Sequence, residues 1–278
     1  MTDNKFLLAL SDLHVGSAFG PWPRDFAGSN GATLYLNTGQ EYLLSAWGHF
    51  IDHLPQTIDV LVINGDAVDG PNDKEEGRFV CETDPQFQAY AAHELLRPVV
   101  ERVKETEHGR QVYMTRGSRY HVGTGGQAEE HLGLLLHARR EPDGRHTHPW
   151  LHLSVNDVLF DVAHHQSYAI RNRGMPLERE ISFFLERMAR MRQVVPGRAV
   201  IVRSHVHGAL RIYTEAGIAA VSTPCWKLQD EFAAMSKYPN RTFAERLGAV
   251  GFSIPVEGMV DLVPYEYEHP QPICEVIV

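Results

Sequence analysis

Short apolar runs recur along the chain, and each closes on a polar cluster. FLLALSDLH ends on Asp12 and His14, and IDVLVINGDAVD on Asp66 and Asp69. QVYMTRGSRYH ends on Ser118 and His121, VLFDVAHH on His164 and His165, and AVIVRSHVH on His205 and His207. Apolar runs of this length, rich in β-branched residues and bounded by turn formers, predict strands. Their C-terminal ends therefore carry the residues with chemistry.

Helical spacing fills the gaps. Over 38–54, Tyr42, Leu43, Trp47, Phe50 and Leu54 recur at helical intervals. Asp84 followed by Pro85 predicts an N-cap with proline at the first helical position. Phe87, Ala91, Leu95, Val99 and Val103 then repeat at i+4, with Pro98 as an expected kink. A third stripe comprises Leu177, Ile181, Phe184, Leu185, Met188 and Met191. Such stripes predict core-facing helices. Asn156-Asp157 predicts the turn of a hairpin, ALRIYTEAGIAAVSTP a second hairpin, and the tail from Gly258 onward further strands. Early β/α alternation and a β-rich later part predict an α+β fold of four layers, α/β/β/α, in which two packed mixed sheets are flanked by helices. No repeat or linker divides residues 1–278, so one domain is expected. Loop insertions are expected near 17–37, 70–83 and 122–149.

Composition changes this picture little. The chain has 278 residues, 43% of them apolar, enough for a sizeable core. No apolar run approaches the roughly 20 residues that cross a bilayer, and the N-terminus lacks a basic leader, so an unsecreted cytoplasmic protein is expected. Cys81, Cys225 and Cys274 show no C-x-x-C spacing, which points away from a disulfide framework or a cysteine zinc site. The net charge of -9 weighs against generic adhesion to nucleic acid or anionic membrane. Nucleic acid is expected only as a substrate, since bound cations would invert the local potential. Oligomeric state does not follow from the sequence.

The 16 histidines matter through their positions. Asp12-x-His14 presents two ligands from one strand end, and His205-x-His207 places two imidazoles on one side of an extended segment. Asp66 follows Gly65, which allows a tight turn over a site, and His164 comes from a neighbouring strand. Carboxylate oxygen and imidazole nitrogen together suit divalent metals, and their order after successive strands points to a metal or catalytic site. Arg116, Arg119 and Arg203 adjoin these motifs. Arg119 and Arg203 are the candidates for clamping a phosphate, with a structural ion pair as the alternative role. His165 is either a neighbour of the ligand or the ligand itself. His146, His148 and His152 read as exposed or substrate-side, and Trp226 as a cover for the sheet edge.

The series S-D-L-H (11–14), G-D-A-V-D (65–69), G-S-R-Y-H (117–121), A-H-H (163–165) and S-H-V-H (204–207) resembles the calcineurin-like metallophosphoesterase superfamily. That family's blocks are D-x-H, G-D-x-x-D, G-N-H-D/E, a lone H and G-H-x-H, and the resemblance spans residues 8 to about 210. It implies a dinuclear centre, manganese foremost, with zinc, iron, nickel or cobalt as alternatives. One ion would take Asp12, His14 and His207, the other His164 and His205, with Asp66 bridging. The implied reaction is in-line attack on a phosphate ester by a metal-bridging hydroxide. Two departures stand out. Ser204 replaces a glycine, and Ser118 replaces the asparagine ligand, with Arg119 and Tyr120 inserted before His121. The resemblance then implies Ser118 at the asparagine position, His121 as the catalytic histidine and Asp69 as its partner. The G-S-x-x-H variant is similar to metallophosphoesterases of phage and mobile-element genomes. Two alternatives accompany the phosphatase or phosphodiesterase reading: a nuclease, and a metal-binding structural or regulatory protein without turnover.

Overall fold

The computed structural model describes residues 4–72, 76–123, 125–166, 175–214, 217–229 and 246–270. The elements in chain order begin with β1 (Lys5–Leu10), α1 (Thr38–His53), β2 (Val60–Asn64), α2 (Pro85–Val100) and β3 (Val112–Thr115). Next come α3 (Arg119–Val122), α4 (Gln127–Leu135), β4 (Thr147–His148), β5 (Leu151–Val155) and β6 (Val158–Val162). The chain continues through α5 (Met175–Arg190), β7 (Ala199–Arg203), β8 (Leu210–Tyr213), β9 (Ile218–Ser222), β10 (Arg246–Ile254) and β11 (Asp261–Glu268).

The strands form two mixed sheets, ordered β11-β10-β1-β2-β3-β4 and β5-β6-β7-β9-β8. Strands β1 to β4 run parallel, as do β6, β7 and β9, while β10, β11, β5 and β8 pair antiparallel. The strand period of two sorts the core. Leu7, Ala9, Val60 and Val62 face Phe160, Val162, Val200, Val202, Ala219 and Val221 across the space between the sheets. The alternate residues Leu8, Leu10, Leu61 and Ile63 pack outward against α1, α2 and α4. On the far side Ala199, Ile201, Ile218 and Ala220 meet α5. The result is the four-layer α/β/β/α sandwich.

Local chemistry fixes the helix starts. Asn37 caps α1 through a capping box, accepting from the Gln40 N–H at 2.9 Å while the Gln40 side chain accepts from the Asn37 N–H at 3.2 Å. Asp84 caps α2 ahead of Pro85, and α2 continues through Pro98. The β5–β6 hairpin turns at Asn156 and Asp157, both at positive φ, the conformation of a two-residue primed turn.

Three expectations need correction. The 122–149 segment is not only loop, for it contains α4 and β4. Its helix is short and surrounded by glycines, yet Ala128 and Leu132 bury a face in the core. In α5, Leu177, Ile181, Phe184 and Met188 are buried, whereas Leu185, and Met191 just past the helix end, are exposed. Leu185 lies about 100° around the helix from Phe184, off the buried stripe. Strand β10, which joins β1 to β11, lies outside the tail from Gly258 where further strands were expected. Residues 271–278 of that tail, with Cys274, lie outside the described residues. Among the described residues no helix is long and apolar enough to cross a membrane.

Candidate metal centre

The loops leaving β1, β2, β3, β6 and β7 converge, and their backbone is unusual where they meet. Asp12, His14, Asp66, His205 and His207 all have positive φ, between 49° and 73°. A residue with a Cβ pays of order 1–3 kcal/mol for such a conformation, and it persists where surrounding structure dictates it. Here the surroundings are specific. The Asp12 N–H donates to the Gly65 carbonyl and the His14 N–H to the Asp66 carbonyl, each at 3.0 Å, and the Trp226 N–H donates to the Asp12 carbonyl at 3.0 Å. Gly65 itself has φ +75°, and a Cβ there would stand 2.6 Å from His164 Nδ1. A Cβ on Gly117 would stand 2.2 Å from Asp66 Oδ1, so these two loops approach as closely as backbone permits.

This strain brings two carboxylate–imidazole triads together: Asp12, His14 and His207, and Asp66, His164 and His205. A third cluster, His14, Asp69 and His121, adjoins the first. In every cluster the candidate ligand atoms lie within 4.8 Å of one another. His14 Nε2 and His207 Nε2 point at each other across 3.1 Å. Asp12 Oδ1 is buried without a hydrogen-bond donor. Around it lie His207 Nε2 at 3.3 Å, His14 Nε2 at 3.8 Å and His164 Nε2 at 4.0 Å, nitrogens of both triads. A buried oxygen left unsatisfied by the protein and ringed by imidazole nitrogens is an environment for a divalent cation. Ser118 Oγ is likewise buried without a partner, and its N–H donates to Asp66 Oδ1 at 2.7 Å. The donor set thus fits metal ions.

Neighbouring acceptors orient the rings. His14 Nδ1 lies 3.1 Å from Asp69 Oδ1 and His164 Nδ1 2.7 Å from the Asn64 carbonyl, leaving each Nε2 for the centre. Burial, helped by the nearby His121 and Lys227 charges, pulls His14 down to about 3. Burial also favours neutral His164, but the Asp66 and Asp12 carboxylates outweigh it and push the ring up to about 10. His207 is raised well above its ordinary value in spite of burial, through Cys225 and Asp12. Burial works against the charged forms of Asp12, Asp66 and Asp69, yet their histidine partners hold all three below the usual carboxylate range.

His121 is buried in α3, in edge contact with His14 at a centroid distance of 4.3 Å. Its Nδ1 donates to the Asp69 backbone carbonyl at 2.8 Å and lies 3.3 Å from Asp69 Oδ1. Burial alone would favour the neutral ring, but the Asp69 side chain hydrogen-bonded to it and the Asp66 and Asp69 charges raise its affinity for a proton.

The structure redistributes several other candidates. Arg203, expected to bind substrate, is instead buried and held in a structural network. Its guanidinium donates to Glu180 Oε2 at 2.9 Å, to Asp161 Oδ1 at 2.8 Å and to the Asp161 carbonyl at 2.9 Å. The reason is the strand period, which turns residue 203 toward α5. Arg119 is exposed in the first turn of α3, beside Ser118, and Arg116 reaches Thr147 and Glu130. His165 is exposed and stacks on His205 at 4.8 Å, while His164 faces Asp66. His146 and His148 are buried, contrary to expectation, His146 against Gly133 of α4 and His148 within β4 beside Tyr113 and Glu141; His152 is exposed beside Asp161. Trp226 is fully buried against Trp47, Phe50 and Tyr267.

Three supporting residues escaped the sequence reading. Asn64 receives Thr115 Oγ1 at 2.5 Å and donates to Ser204 Oγ at 2.5 Å, tying β2, β3 and the loop after β7. Lys227 Nζ lies 3.6 Å from Asp69 Oδ1. Glu129, in α4, accepts from the Ala67 N–H at 3.1 Å and the Gly117 N–H at 2.8 Å. Asn64 adjoins G-D-A-V-D and could be found there, whereas nothing local marks Glu129.

No protein-family model matches the chain, and no curated protein matches it. Solved structures similar to it include Vacuolar Protein Sorting 29 from Cryptosporidium parvum, at TM-score 0.44 and 9% identity over 95% of this chain and 98% of that one. Another is YfcE, a phosphoesterase from E. coli, at TM-score 0.39 and 16% identity over 88% and 87%. A third is a dimetal phosphatase from Danio rerio, at TM-score 0.42 and 9% identity over 94% and 99%. The sandwich seen here, with ligand-type residues at its strand ends, is the arrangement that the resemblance to calcineurin-like metallophosphoesterases implies.

Proposed function

We propose that the protein is a divalent-metal-dependent phosphoesterase acting on phosphomonoesters or phosphodiesters. The observation that carries this reading is the pair of carboxylate–imidazole triads converging on the donorless Asp12 Oδ1. Asp12, His14 and His207 would hold one ion, His164 and His205 the other, with Asp66 shared and Ser118 beside it. Two bound ions would acidify water and offset charge on a phosphoryl group.

The chain's own residues supply the rest. With Nδ1–H donating to Asp69, His121 keeps Nε2 for the substrate, where the protonated ring gives a proton to the leaving oxygen. Asp69 favours that protonated form and fixes the ring's direction. Arg119, exposed next to Ser118, is the basic side chain for non-bridging phosphate oxygens.

Metal-free protein loaded in turn with Mn, Zn, Fe, Ni or Co and assayed with p-nitrophenyl phosphate and bis-p-nitrophenyl phosphate tests the reading. Metal-stimulated turnover of either ester is expected. Stoichiometric uptake with no turnover in any form would favour a binding protein instead, the reading that the Ser118 substitution motivates. A nuclease would show itself by metal-dependent cleavage of single- or double-stranded DNA or RNA.

A further inference from the structure

A fully buried carboxylate lies behind the centre and has no part in the chemistry above. Glu129 is 0% exposed, on the inner face of α4, and reaches two separate loops with one side chain. Oε1 accepts from the N–H of Ala67, the residue after Asp66, and Oε2 from the N–H of Gly117, the residue before Ser118. These loops belong to different strands, β2 and β3, and meet where the Gly117 Cα has no room for a side chain beside Asp66. The Asp66 carboxylate is in turn held by the Ser118 N–H at 2.7 Å. Glu129, Gly117, Ser118, Asp66 and Ala67 thus form a closed ring of hydrogen bonds and chain.

Burying a carboxylate is unfavourable unless its lone pairs are met. Burial, joined by the Asp66 charge, pushes Glu129 up to about 7 against the pull of its two N–H donors. A core position against α2 would be filled more stably by an apolar side chain if packing were its only task. The retained carboxylate has a geometric task, because only a two-oxygen acceptor satisfies both N–H groups at once.

We propose that Glu129 is a positioning residue that clasps the two loops bearing Asp66 and Ser118 and so sets the metal affinity of the Asp66–His164–His205 half. This rests on the phosphoesterase reading only in taking that half as an ion site. The clasp replaces by backbone geometry part of what the serine lacks as a ligand. The substitution E129Q would keep the shape but turn an NH2 donor onto one of the two N–H groups, leaving it unsatisfied.

The test compares wild type with E129Q, and with E129L as an apolar control, by calorimetric titration of Mn into metal-free protein and by amide exchange of Ala67 and Gly117. E129Q is expected to weaken the second Mn equivalent about 10–100-fold, the range for groups that orient ligands. The first equivalent shares Asp66 but not Ser118, so it should weaken less than the second, and exchange at Ala67 and Gly117 should accelerate. Two equivalents with wild-type affinities in E129Q would overturn the proposal. So would equal weakening of both equivalents in step with a lower melting temperature, which marks a structural role alone. Wild-type protein that binds no Mn but protects both amides would remove the ion-site reading and, with it, the affinity role, while leaving the clasp itself visible. If E129L does not fold, E129Q alone decides the outcome.

Discussion

The two halves of the centre are built differently. In the half of Asp12, His14 and His207, the backbone of Asp12 is held on both sides, by the Gly65 carbonyl and the Trp226 N–H, and the His14 ring is set by Asp69. Asp12, His14 and His207 stand at the positions where the sequence resemblance implies ligands. In the half of Asp66, His164 and His205, the asparagine is lost to Ser118, His205 is only partly buried, and exposed His165 stacks on it. What the second half lacks in ligand strength it recovers in framework: the Ser118 N–H on Asp66, the Asn64 carbonyl on His164, and Glu129 behind both loops. The loop that bears Ser118 is thus supported from behind by residues far away in sequence. The two halves are expected to respond unequally to substitution.

The largest effect is expected at the shared carboxylate. D66N should bring turnover to background and loosen both ions in calorimetry, and a variant that retains both with wild-type affinity would show that Asp66 is not shared. H121A comes next. Its turnover should fall by about 10²–10⁴-fold, as for loss of a general acid, and most for esters with poor leaving groups. Two metal equivalents should remain by mass spectrometry, and the loss of one would move His121 from proton donor to ligand.

S118A probes the halves against each other. The second equivalent should weaken roughly tenfold, at the lower end of effects from outer ligands, with the first unchanged. Equal effects on both would erase the asymmetry.

The smallest expected effect is in protons. Without metal, the Asp66 and Asp12 carboxylates push His164 up to about 10, above its unfolded value. Its ion pairing therefore stabilises the metal-free protein fully below about pH 6.5 and is lost as pH rises toward about 10. Metal must displace that proton, so uptake by the Asp66 half should release close to one proton per ion at about pH 7.5 and tighten with pH. His14, held at about 3, is already neutral and releases none, whereas His207 releases its own proton in the other half. Titrations in buffers of different ionisation enthalpy give these counts.

Much of the scaffold was legible because it follows from period. The apolar runs before Asp12, Asp66, Ser118, His164 and His205 are strands, and their alternation builds both faces of each sheet. Of the clusters, only the pairing of Asp12 with His14 was legible from local spacing, because D-x-H keeps the two within three residues; His205 and His207 go to different clusters, and the fold brings the remaining members together. Arg203 was misread because adjacency to a motif in sequence says nothing of direction, and the strand turns its side chain toward Asp161 and Glu180. Glu129 was invisible for a related reason. Its partners are backbone N–H groups 62 and 12 residues away, and backbone carries no sequence signal. Helix α4 was hidden by its short length and its glycines.

Anomalous diffraction from crystals of the Mn-loaded protein tests the central claim most directly. The account predicts two peaks, one among Asp12, His14 and His207 and one among Asp66, His164 and His205, the second with lower occupancy at limiting Mn. A single peak fully occupied in the Asp66 half, or peaks away from both triads, would contradict it.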